Sequence, residues 1–143
     1  MKYEVHVTEE QLSLLTKALE LWGRLCMGQI EEAALPEIFV DRLDDFAQTK
    51  EELRRLVSLM TGMDSPTASH GIRSDKVHPS GRVAWDMYKA FLHRLSWDRN
   101  PEGGVANCFD RPFPISDRPL PTIKKASDDE QSEELPERRR ASY

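Results

Sequence analysis

The residues best suited to ligand chemistry cluster in His93-Arg94-Leu95-Ser96-Trp97-Asp98-Arg99-Asn100-Pro101-Glu102-Gly103-Gly104 and, upstream, in Ser69-His70-Gly71-Ile72-Arg73. A guanidinium holds a phosphate through two parallel hydrogen bonds, an indole or imidazole plane stacks on a base, and glycine lets a backbone approach closely. Together these are the parts of a nucleotide pocket. A plainer reading of the same residues makes Trp97 a core side chain, pairs Asp98 with Arg94 or Arg99, and uses the glycines only to turn the chain.

Other reactive residues carry less. His6-Val7-Thr8 and His78-Pro79-Ser80 are two His-x-Thr/Ser triplets, a pattern in which paired imidazoles can exchange protons across a phosphodiester. That chemistry needs both triplets on paired strands, whereas Pro79 and the helical pattern behind it put the second at a helix entrance, so surface histidines are the better reading. The four histidines, His6, His70, His78 and His93, lack metal-ligand spacing. Cys26 and Cys108 lie far apart without a Cys-x-x-Cys pattern and read as free thiols. There is no nucleophile elbow, Walker or Gly-x-Gly-x-x-Gly motif, so neither enzyme activity, a metal nor a cofactor is expected.

The elements that must position these groups are mostly helical. Tyr3-Glu4-Val5-His6-Val7 alternates as a strand does, and Thr8 with Gln11 forms a capping box that opens a helix. Leu12, Leu15, Leu19, Trp22, Leu25 or Cys26, and Ile30 then recur at helical spacing as a core stripe. Gly23 and Gly28 interrupt it, and each glycine costs about 1 kcal/mol relative to alanine in a helix, so Arg24, Met27, Gly28 and Gln29 are assigned to an oligomer contact or a second ligand site. A shorter helix is expected over 35–46, and Thr49 with Glu52 suggests another capping box for a helix ending near Gly62.

Met63 to His78 reads as a loop, punctuated by Pro66, Gly71 and Pro79. Ser80 to Arg99 has the strongest helical pattern, with Ala84, Met87, Tyr88, Phe91 and Leu95 inward, Arg82, Asp86, Lys89 and His93 outward, and Arg94 at the flank. Val105 to Phe109 can form a second strand, and the proline-rich 111–121 segment closes the domain. The expected fold class is therefore α+β and mainly helical, with three to four helices and a small antiparallel sheet pairing the N-terminal and C-terminal strands. Residues 1–123 form a single globular domain. Residues 124–143 hold one aliphatic side chain larger than alanine, Leu135, and read as a disordered charged tail.

With 143 residues the chain has room for one ordinary domain. Its formal charge of −5 works against general nucleic-acid binding, so an anionic ligand must use a local cluster. The absence of a long apolar run or signal core points to a cytoplasmic protein with no membrane contact.

Five segments, Trp22-Gly-Arg-Leu-Cys-Met-Gly-Gln29, Ala68-Ser-His-Gly-Ile72, Ala84-Trp-Asp-Met-Tyr88, Arg94 to Gly104, and Phe109-Asp-Arg-Pro112, occur in that order. In this the chain resembles a family of small bacteriophage-encoded proteins akin to the Thoeris anti-defence sponges, which sequester cyclic ADP-ribose signals. The most specific piece is Arg94 to Gly104. His70 departs from the pattern where an aromatic residue is expected, and Leu92 where a basic one is.

The resemblance implies a non-catalytic protein that acts in the cytoplasm of an infected bacterial host. It would bind a cyclic nucleotide signalling molecule, a cyclic ADP-ribose isomer or also cyclic oligonucleotides, and form homo-oligomers, a dimer or a trimer of dimers. Taken with the chemistry above, it assigns Arg94 and Arg99 to phosphate, Trp97, His70 or Phe109 to stacking, and Arg73 to the same pocket. The alternative is a phage protein that inhibits a host protein by binding it directly through an exposed helical face.

Overall fold

In the computed structural model, which describes residues 1–103 and 111–127, the core is an antiparallel hairpin of two long helices, α1 (Glu9–Cys26) and α4 (Pro79–Arg99). Between them the chain makes two short 3-10 turns, Ile30–Ala33 and Pro36–Ile38, then α2 (Leu43–Arg55) and α3 (Val57–Thr61).

Local chemistry explains where the long helices start. Thr8 accepts from the Gln11 amide and the Gln11 side chain accepts from the Thr8 amide, so the expected capping box closes two orphan donors, and Glu9 and Glu10 meet the positive end of the helix dipole. At α4, Pro79 occupies the first turn, where no amide hydrogen is needed, and the His78 imidazole accepts from the Ser80 amide at 3.2 Å.

The line along which α1 meets α4 is rotated from the leucine stripe. Thr16 and Gly23 are buried, whereas Leu15 is exposed and Trp22 stands 52% exposed. Small residues occupy the contact because the helices come very close. A Cβ on Gly23 would stand 2.7 Å from Trp85 Cε3, and one on Gly81 would stand 2.5 Å from Cys26 Cβ. Thr16 satisfies its hydroxyl within the helix by donating to the Leu12 carbonyl at 2.7 Å. Around this contact the buried apolar side chains are Met27, Ile30, Ala34, Val57, Val77, Ala84, Tyr88, Ala90 and Leu95.

Besides the helix expected over 35–46, where the chain makes the Pro36–Ile38 turn and enters α2 only at Leu43, three expectations need correction. No β-strand occurs among the described residues, so the small antiparallel sheet is not seen: Tyr3 to Val7 lies without a ladder partner, with Tyr3 and Val5 exposed. The alternation alone cannot make a strand, because a strand needs a neighbour for its backbone hydrogen bonds. The expected partner, Val105 to Phe109, lies outside the described residues. Thr49 and Glu52 do not open a helix, since α2 begins at Leu43 and runs through both; its acidic first turn and basic last turn suit one continuous helix.

Asp86 is the third correction. It is not outward but 3% exposed, and its carboxylate accepts from the Ile115 amide (2.6 Å), the Ser116 amide (2.8 Å) and the Ser116 hydroxyl (2.5 Å). A buried carboxylate is tolerable only when its lone pairs are met in this way. Asp86 thereby fastens the proline-rich 111–121 segment to α4. The break near Gly62 is as expected: Gly62 ends α3 in the left-handed region at φ 72°.

Candidate functional site

The hairpin separates the expected ligand residues into two groups. His70 lies at the start of α4's path, its amide donating to the Met27 carbonyl at 2.8 Å just beyond the end of α1. Arg73 is exposed in the adjoining loop, next to Ser74, whose carbonyl accepts from Arg82 at 3.1 Å. Arg94, Trp97 and Arg99 lie in the other half of α4. At roughly 1.5 Å per residue, Arg94 is about 20 Å from Gly81, which abuts the end of α1. One small ligand does not span that gap together with its pocket walls. Phe109 lies outside the described residues.

Within the second group each side chain has an internal partner. Arg94 holds Asp98 through both guanidinium arms, with Nε 2.8 Å from Oδ2. This pair keeps the Asp98 carboxyl below its usual range and raises the Arg94 guanidinium, and Lys125 lowers Asp98 further. Arg99 turns the other way and binds α1, donating to Glu9 at 2.7 Å and to Ser13 at 2.9 Å. It thus places a cation at the C-terminal end of α4 beside the acidic start of α1, where both helix dipoles favour the pair. Trp97 donates to His93 Nε2 at 3.0 Å, and its six-membered ring lies 3.6 Å from where a Cβ on Gly103 would be. The Arg94–Asp98 pair of the plainer sequence reading is present, whereas Trp97, read there as a core side chain, is only half-buried.

The first group is richer. Three of the five resembling segments, those at 22–29, 68–72 and 84–88, converge at one end of the hairpin. Gln29 Nε2 lies 3.4 Å from Ser69 Oγ, His70 binds Met27, and Gly23 admits the Trp85 edge. Arg24 donates to Glu20 (2.7 and 3.0 Å) and to Gln29 Oε1 (2.9 Å), and its guanidinium stands 6.0 Å from the Trp85 ring centroid. Hydrogen bonding to Glu20 raises the Arg24 guanidinium, and burial raises the Tyr88 hydroxyl. Lys89 places its ammonium 5.7 Å from the Trp85 centroid and 5.0 Å from that of Tyr88, while the two rings meet edge to face at 5.2 Å.

Met27 and Gly28, expected at an oligomer contact or second ligand site, are buried within the chain. Gly28 adopts φ +90°, and a Cβ there would stand 2.6 Å from Thr61 Cγ2. Both glycines of this segment thus have an intramolecular packing reason, and only Arg24 and Gln29 present polar groups to a site. Glu20, Trp85, Tyr88 and Lys89 were not singled out from sequence as site residues. The signal available for them was helical spacing: 20/24 and 85/89 are four-residue pairs that share a face. That Arg24 and Trp85 meet across the hairpin had no local signal.

Nearby, Ser80 Oγ receives Trp22 Nε1 at 3.2 Å and lies 2.8 Å from His78 Nδ1. Burial pushes the Cys26 thiol up, and the neighbouring Ser80 hydroxyl offsets part of that rise. Since His78 Nδ1 serves the helix cap, the pair closes α4's first turn. Away from the hairpin, an open groove of about 550 Å³ is lined by Phe39, Arg42, Asp45, Gln48, Thr49, Glu52, Leu53 and Leu56. Ile38, Val40 and Leu43 stand exposed in the stretch that leads into α2, and Leu59 and Met60 on α3. Among the described residues no group of three or more His, Cys, Asp or Glu side chains could hold a metal ion, and no helix is long and apolar enough to cross a membrane. No protein-family model, curated protein or solved structure matches the chain.

Proposed function

We propose that this chain is a non-catalytic binding protein that sequesters a nucleotide-derived signalling molecule, a cyclic ADP-ribose isomer or a cyclic oligonucleotide, in the cytoplasm of a phage-infected bacterial host. The observation that supports the reading is the placement of two cations, Arg24 of the 22–29 segment and Lys89, beside the one Trp85 ring, with the 68–72 segment joined to 22–29 through Gln29 and Met27. An acidic chain can bind a small anion this way because the ligand senses a local cluster rather than the net charge. Sequestration works by mass action. With the protein in excess and a dissociation constant below the signalling concentration, free ligand falls below its effector's threshold and no bond need break.

Incubating the protein with cyclic ADP-ribose isomers and cyclic oligonucleotides, washing, heating and analysing the released material by mass spectrometry tests this. Intact ligand is expected in the released fraction. Cleaved product, or no retained ligand at all, counts against it.

A second reading is favoured by a separate observation. Ile38, Val40, Leu43, Leu59 and Met60 leave apolar side chains exposed along the 38–60 stretch, the kind of surface an interface uses. In this reading the protein inhibits a host protein by direct binding. Self-association into a dimer or a trimer of dimers would use the same kind of surface, and sedimentation of the isolated protein distinguishes that use from a foreign partner.

A further inference from the structure

We infer that Lys89 and Trp85 are the pair that recognises ligand, and that the ligand class they fit is a planar aromatic ring carrying an anionic phosphate. The inference deepens the sequestration reading and rests on it.

Among the cations near Trp85, the two are not equivalent. Arg24 is committed, its guanidinium held twice by Glu20 and once by Gln29 Oε1. Lys89 is exposed, has no carboxylate within ion-pair distance among the described residues, and rests its ammonium on the Trp85 and Tyr88 rings. A cation over an aromatic face at an exposed site is held only weakly. A phosphate oxygen offers it a stronger, charge-assisted hydrogen bond. The ammonium therefore exchanges the ring for a phosphate when one arrives, beside the half-buried Trp85 ring on which a planar group stacks in this proposal.

The fold keeps Trp85 in place for that role. Its edge is seated against Gly23 on α1 and its ring meets Tyr88 edge to face, so the indole has little freedom to lose on binding. Glu20 acts as a positioning residue: by neutralising Arg24 and holding it beside Trp85, it leaves Lys89 as the cation available to the ligand. Arg94 and Arg99, by contrast, have their charges met by Asp98 and Glu9.

Calorimetric titration of the full chain with cyclic ADP-ribose and cyclic di-AMP as probes tests the inference, each variant being melted alongside. Lys89→Gln is expected to weaken binding by at least about tenfold with an unchanged melting temperature. Lys89→Arg should restore most of the loss because it keeps the charge, Trp85→Phe should give an intermediate loss, and Arg94→Ala should bind as the parent does. Unchanged affinity in Lys89→Gln, or loss in Arg94→Ala alone, overturns the Lys89–Trp85 assignment while leaving sequestration intact. Failure of the unaltered protein to bind either probe overturns both.

Discussion

Gly81 of α4 stands directly against Cys26 of α1: a Cβ built on the glycine would lie 2.5 Å from the cysteine Cβ and 3.0 Å from its sulfur. Real Cβ atoms do not come that close, so the hairpin spacing exists because position 81 has no side chain. Gly81→Ala must push the helices apart, at an overpacking cost of about 1–3 kcal/mol. A lowered thermal midpoint is expected, and an unchanged one would show that the hairpin absorbs a methyl group without moving.

Gly28 should behave as a fold residue rather than a contact between copies. Its φ of +90° disfavours any side chain, and Thr61 blocks the space a Cβ would take. Gly28→Leu is expected to lower stability by more than the roughly 1–2 kcal/mol of left-handed backbone strain alone. Denaturant melts measure this, and a changed sedimentation mass at full stability would restore the oligomer role.

The Arg94–Asp98 pair gives a pH prediction. Because Arg94 depresses the Asp98 carboxyl in the folded state, the folded protein binds that proton less readily than the unfolded chain. The stabilisation is therefore present above the ordinary aspartate range, near about 3.9, and is lost as pH falls through the lower folded value. Asp98→Asn should remove that part of the acid dependence. It should cost only about 0.3–0.5 kcal/mol at neutral pH, the usual scale for a helical pair spaced by four residues.

Asp86 is expected to matter more. Replacing it with alanine strands the Ile115 and Ser116 amides that now donate to it, at a cost of about 1–3 kcal/mol. The 111–121 segment should then exchange its amide hydrogens faster and be cut sooner by protease, while α1 and α4 keep their protection. Equal protection in the variant and the parent would show that the segment is held by other contacts.

The sequence by itself determined the two long helices and where each begins, because these depend on near neighbours. Thr8 and Gln11 are three residues apart, Pro79 fits a first turn by its own ring, and Gly62 stops α3 through its own backbone freedom. It also contained the Arg94–Asp98 pair as one of two open readings. Packing decided the rest. Trp22 is exposed and Thr16 buried because the approach of α4 at Gly23 and Gly81 selects which line of α1 faces inward, a choice that the leucine periodicity leaves open. Asp86 is buried because its hydrogen-bond donors come from residues 115 and 116, far along the chain. The same long-range geometry divides His70 and Arg73 from Arg94, Trp97 and Arg99, and brings Arg24 to Trp85 instead. Helix period and capping act over one or two turns, whereas which faces meet, and so which cations share a ring, is set only when the hairpin closes.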